Sequence, residues 1–141
     1  DKFSGQVSGE SIIEKNQVEI KEIFEQENIE EILNKTYSLS QNGSEFSKNT
    51  EHELKGKSPT SLKITFKQIH MATELSLRDA LIMEYRMVQR CQASGDFYEG
   101  VRAMLVDKDR NPQWKPSNLD KVDEIWVNHF FEPLHEKDLK I

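Results

Sequence analysis

Four histidines (His52, His70, His129 and His135), one cysteine (Cys91) and 25 carboxylates are the side chains of this 141-residue chain that could do acid–base, nucleophilic or metal chemistry. A helical zinc site takes an i, i+4 histidine pair and a zinc knuckle takes clustered cysteines. Neither spacing occurs, so the histidines read as surface or half-buried groups and no metal site is expected. A serine nucleophile of the GxSxG type needs flanking glycines, and a phosphate cradle needs a glycine-rich loop. The six glycines here are isolated, in contexts that read as turns, caps or lead-in. Cys91 falls on or near an apolar helix face, where a thiol packs rather than attacks. Glu84 is the odd residue: its helical angle sets it in the apolar stripe between Leu81 and Val88, where an unpaired carboxylate is costly. One role is an anchor, paired with Arg or Lys (Arg102 is a candidate) or with backbone N–H groups at a helix start. The other is a general acid or base with a raised pKa. No further catalytic group accompanies it, so the anchor is expected and no catalytic residue is assigned to this chain.

The elements that must position these groups read as helices throughout. From Ser11 the pattern is helical, with Ile13, Ile20 and Phe24 as the inward stripe. Asn28 with Glu31 starts a second helix bearing Ile29, Ile32 and Leu33, and Asn42-Gly43 breaks it. A weakly apolar helix follows from Ser44 to Leu54. Ser58-Pro59 is a favoured N-cap and first-turn pair ahead of Leu62, Phe66 and Ile69. Ser76 with Asp79 opens the longest helix, whose inward face reads as Leu77, Ala80, Leu81, Tyr85 and Val88, and Ser94-Gly95 ends it. Asp96 with Glu99 has the reciprocal capping spacing of a helix carrying Phe97, Val101, Met104 and Leu105. The charged turn from Asp107 to Pro112 stops that helix. Ser117-Asn118 precedes a last helix with Val122, Ile125, Trp126 and Phe130, closed by Pro133. No convincing strand period appears, so an all-α chain of five to seven helices is expected. Leu62, Phe66, Leu77, Leu81, Val88, Phe97, Val101 and Trp126 should form most of its core.

Charge divides the chain. Residues 1–57 carry 12 acidic and 7 basic side chains, residues 58–141 carry 13 and 12, and all five arginines lie between Arg78 and Arg110. We expect an acidic helical segment over 1–57 and a helical C-terminal domain over 58–141, forming one structural unit. A net charge of −6 argues against non-specific nucleic-acid binding, and no apolar run nears the roughly 20 residues of a membrane helix. A single cysteine fits a reducing compartment. The chain opens on Asp1 rather than Met, and residues 1–10 read as a lead-in, so a piece of something longer is expected.

Residues 96–116, DFYEGVRAMLVDKDRNPQWKP, resemble the C-terminal signature of the enoyl-CoA hydratase (crotonase) superfamily. That signature is an EGxxA helix followed by a Lys-containing turn, a proline and an aromatic. The longer DKDxxPxWxP form, with Ser58–Thr65 and Met83-Glu84-Tyr85-Arg86, is similar to the 3-hydroxyisobutyryl-CoA hydrolase branch. The resemblance implies a parent enzyme that cleaves an acyl-CoA thioester in valine catabolism, in the mitochondrial matrix or alternatively the peroxisome. Its oxyanion hole and carboxylates would lie upstream in a ββα core absent here. This chain would be the helical part that covers that core, inactive by itself and requiring no cofactor. The resemblance also points to Lys108 as a contact for CoA and to Trp114 as a core plug. Asp109 stands where many relatives carry a second basic residue. The implied partners are the acyl-CoA substrate through the upstream core, the catalytic half itself and a second copy of the chain, with no membrane. An alternative from the same branch is a structural subunit of the mitochondrial ribosome, the one case that would bring nucleic acid. A surface evolved to cover a core should leave an apolar patch exposed once that core is missing.

Overall fold

Ser11, Asn28, Ser58, Ser76 and Asp123 each turn a side-chain oxygen onto the backbone N–H three residues ahead, satisfying donors that a helix start leaves unpaired. They open α1 (Ile12–Lys15), α3 (Ile29–Gln41), α5 (Pro59–Ala72), α6 (Leu77–Ala93) and α8 (Glu124–His129). Between them lie α2 (Gln17–Phe24), α4 (Glu45–Lys55) and α7 (Gly95–Val101). This computed structural model describes residues 9–141, so most of the expected lead-in over 1–10 lies outside the described residues. No strand occurs among the described residues, and six of the helices have seven residues or more, in line with the expected all-helical class. No described helix is long and apolar enough to cross a membrane.

The chain divides into two compact units, the first ending at Lys55 and the second running from Gly56 to Ile141. In the first, α3 packs on α4, and Ile23, Ile29, Ile32 and Thr36 are buried. Buried Thr36 satisfies its hydroxyl by donating to the Ile32 carbonyl at 2.7 Å. The Glu19 carboxylate accepts from Ser44 and Ser47, tying α2 to the start of α4. The stripe expected inward on the first helix is displaced. Asn16 interrupts the helix, Ile13 and Phe24 are exposed, and Ile23 is the buried residue.

In the second unit the core is Ile64 of α5, Met83 and Met87 of α6, and Val122, Val127, Phe130 and Phe131 from α8 and its flanks. Lys63 Nζ donates to the Val122 carbonyl at 3.0 Å, and Arg86 makes a bidentate ion pair with Asp138, tying the chain's last segment to α6. The expected core is therefore only partly right. Leu62, Phe66 and Val101 are half-buried, but Leu77, Leu81, Val88, Phe97 and Trp126 are exposed. The reason is specific to α6, which has two apolar faces. Met83 and Met87, one turn apart, point into the unit, while the Leu77, Leu81, Val88 stripe faces outward. Periodicity finds an apolar stripe without saying which of two stripes is covered. The last helix also starts later than expected, at Glu124 behind the Asp123 cap, after a short 3₁₀ turn over Leu119–Lys121.

Candidate functional site

The signature segment is a hydrogen-bonded knot around one guanidinium. α7 runs on into a π-helical turn, Arg102–Val106, which offsets the helix by one residue and buries Ala103 completely. Arg102 Nε and Nη2 grip both oxygens of Glu99 at 2.9 and 2.8 Å. Its Nη1 reaches Asp107 at 2.6 Å and Asp109 at 2.7 Å, and Nη2 also donates to the Asn111 carbonyl at 3.2 Å. Glu99 accepts a further bond from the Gln113 N–H at 2.6 Å. The charged turn is thus wrapped around Arg102. The guanidinium and the Gln113 amide hold the Glu99 carboxyl down at about 2, while Arg102 keeps Asp109 below the usual carboxylate range. These carboxylates are fixed as anions and cannot serve as acids near neutral pH.

The expected reciprocal cap between Asp96 and Glu99 does not form. Ser94 is the N-cap of α7 and makes no side-chain cap bond. Asp96 instead accepts from the Ser58 hydroxyl at 2.6 Å and the Lys115 N–H at 2.9 Å, sewing the start of α5 and the end of the signature to α7. Trp114 is half-buried, with its indole N–H donating to the Gly56 carbonyl at 3.0 Å. A Cβ on Gly100 would lie 3.3 Å from Trp114 Cη2, so the missing side chain is what lets the ring lie against α7. The Ser58–Asp96 bond leaves no signal in the sequence, because each residue has the spacing of a local cap and the two are 38 positions apart.

Lys108 and Arg110 flank Asp109 with positive φ, at 57° and 54°. Both are exposed, and among the described residues neither side chain makes a hydrogen bond or ion pair. The turn therefore shows its two cations while its two carboxylates are occupied by Arg102. Beside the knot lies an open cleft of about 600 Å³ whose walls include Tyr98, Glu99, Arg102 and Lys115. Its acidic and guanidinium groups are already engaged in holding the turn.

The remaining candidates do not converge. No three His, Cys, Asp or Glu side chains gather as a metal site among the described residues. His70 meets the Phe66 carbonyl at 2.9 Å, His129 meets Glu132 at 2.9 Å, and His52 and His135 are exposed elsewhere. Cys91 packs beside the core, and burial pushes its thiol up, away from the reactive thiolate. Glu84 departs from the expectation of a buried charge pair. It is exposed and, among the described residues, accepts from Gln68 Nε2 alone, at 3.2 Å, while Arg102 is occupied by other carboxylates. Its helical angle does place it on the Leu81–Val88 stripe, but that whole stripe faces outward.

Residues 1–131 match the family model described as enoyl-CoA hydratase/isomerase. The chain is 42% identical over 132 residues to the mitochondrial 3-hydroxyisobutyryl-CoA hydrolase of Gallus gallus, covering 94% of this chain and 34% of that protein. It is 45% identical over 122 residues to the Danio rerio protein of the same name, covering 86% and 31%. Two solved structures superpose on it: a carnitinyl-CoA dehydratase from Mycobacterium thermoresistibile and an enoyl-CoA hydratase from Rhodobacter sphaeroides 2.4.1. The first has TM-score 0.85 and 27% identity, covering 96% of this chain and 38% of that one. The second has TM-score 0.86 and 26% identity, covering 99% and 40%. The chain spans about a third of the length of the curated relatives it matches.

Proposed function

The chain belongs to the enoyl-CoA hydratase/isomerase family, and from that premise we propose that it is the helical C-terminal region of a mitochondrial 3-hydroxyisobutyryl-CoA hydrolase-like protein, covering an upstream catalytic core. The observation that carries the reading is the combination of 42% identity across 94% of the chain with a signature whose charged groups are taken up in holding the fold. A segment built this way positions and encloses. It does not itself cleave a thioester. Support also comes from the surface of the second unit, where Leu77, Leu81, Val88, Met104, Leu105 and Val106 are all exposed. Side chains of this kind at helical spacing belong to a face with something over it.

Within this reading Lys108 is the residue that meets the CoA moiety, from a turn where Asp109 no longer offsets its charge because Arg102 holds that carboxylate. Trp114 fixes the turn's distance from α7 through its contact with Gly100. The test is release of free CoA from 3-hydroxyisobutyryl-CoA by the full-length protein. Hydrolysis is expected from the full-length protein and none from this chain alone, and Lys108→Ala should raise KM more than it lowers kcat. A full-length protein that folds, sediments with the small mitochondrial ribosomal subunit and leaves the thioester intact would replace this reading with the structural one.

A further inference from the structure

Leu77, Leu81, Glu84 and Val88 stand at i, i+4, i+7 and i+11 of α6, the spacing of one seam of a helix pair, and run for about 17 Å along the axis. The three apolar members are 78%, 43% and 48% exposed, and Glu84 is exposed between them. A different side of the same helix already fills the core through Met83 and Met87. The outward seam is therefore not needed to hold the unit together. It is three-quarters apolar with one carboxylate near its middle, and among the described residues the bond to that carboxylate is the neutral one from Gln68.

Covering such a seam desolvates Glu84, and a carboxylate taken from water without a cation costs several kcal/mol. The occupant must therefore supply the missing charge. A second copy of α6 supplies the wrong one. Laid parallel and in register, two Glu84 side chains face each other; laid antiparallel about the seam's centre, each faces Leu81 of the other helix. Either way two carboxylates enter an apolar seam whose own four positions carry no cation. By contrast, the curated relatives extend over about three times the length of this chain, and the solved chains that superpose on it are 38% and 40% covered by it.

We infer that the α6 seam is the docking face for an apolar segment of the upstream polypeptide that places one Arg or Lys opposite Glu84. The inference rests on the reading of this chain as one part of a longer protein. It goes further by naming the face that is covered and the charge that covers it. Glu84 then acts as a register key: apolar contact fixes that the two parts meet, and the ion pair fixes where along the seam.

The experiment uses the full-length protein with a photoreactive benzophenone side chain placed at Leu81, followed by mass-spectrometric mapping of the cross-link. The expected product is intrachain, to an upstream peptide with an Arg or Lys within one turn of the attachment point. In parallel, Glu84→Lys should lower the melting temperature by about 4 °C or more, and exchanging that basic residue for Glu should recover most of the loss. A cross-link to α6 of a second molecule, to a segment without a basic residue, or none at all overturns the inference, as does an unchanged melting temperature for Glu84→Lys. Should that variant not fold, the cross-link decides. Thioester hydrolysis is scored separately. An inactive protein with the expected cross-link refutes the functional reading alone, and an active one with a cationless cross-link refutes this inference alone.

Discussion

Met87 lies on the buried side of α6 and Leu77 on its exposed stripe, and truncating each to alanine in this chain should give sharply different losses. Met87 is 7% exposed and packs with Ile64, Phe130 and Phe131, so Met87→Ala removes buried surface and leaves a void. Such changes cost about 2–5 kcal/mol. Because α5 and α8 can partly close over the gap, about 3 kcal/mol is expected. Leu77 is 78% exposed, leaving 22% covered. Full burial of a leucine stabilises by about 1.5–3 kcal/mol, so Leu77→Ala should cost about 0.5 kcal/mol, with helix propensity almost unchanged. Urea unfolding followed by circular dichroism measures both. With a slope of about 2 kcal/mol/M, Met87→Ala should move the midpoint down by about 1.5 M and Leu77→Ala by about 0.25 M. Equal shifts would mean that the outward stripe is covered in this chain, and would remove the basis for two distinct faces on α6.

Gly100→Ala should be close to neutral, since a helix gain of up to about 1 kcal/mol is opposed by the 3.3 Å approach to Trp114. Gly100→Val should cost about 1–3 kcal/mol and shift the tryptophan emission; a fully stable valine variant would show that the ring is free to move. The Glu99 carboxyl is lowered from 4.5 to about 2, so its contribution is full above 4.5 and disappears as pH falls through that window. The urea midpoint should therefore drop between pH 4.5 and 2, and Arg102→Met should flatten the drop; an unaltered slope in the variant would exclude the guanidinium as the cause. Asp138→Asn should speed amide exchange over residues 133–139 by loosening the pair with Arg86, whereas unchanged exchange would mean that the tail is held by Phe130 and Phe131 alone.

The helix starts were legible because capping is local: Ser11, Asn28, Ser58 and Ser76 each announce a bond made within three residues. Facing was not. α6 carries a methionine pair and, about a third of the way round the helix, a leucine–valine stripe, and hydrophobicity ranks the second above the first, although the first is buried. Which side is inward depends on α8, whose Val127 and Phe130 lie about forty residues away in sequence. The signature was legible as a string, and its polar chemistry was not. Asp96 and Glu99 have the spacing of a cap box, but Ser58 and Arg102 offer charged or hydroxyl partners that replace it. Glu84 does lie on the leucine–valine stripe, and it is exposed because that stripe is.

The bonds around Arg102 join residues three to nine positions apart, and Gln113 closes onto Glu99 across 14. The ties that complete the second unit span far more chain: 38 residues from Ser58 to Asp96, 52 from Arg86 to Asp138 and 59 from Lys63 to Val122. Short loops close with less entropy loss and sooner than long ones. The signature segment should thus be formed early on the folding route, with the Arg86–Asp138 tie among the last contacts made. Disruption at Arg102 would then appear mainly as slower folding, and disruption at Asp138 mainly as faster unfolding. The knot that marks the family in sequence would be the nucleus on which the rest of its unit condenses.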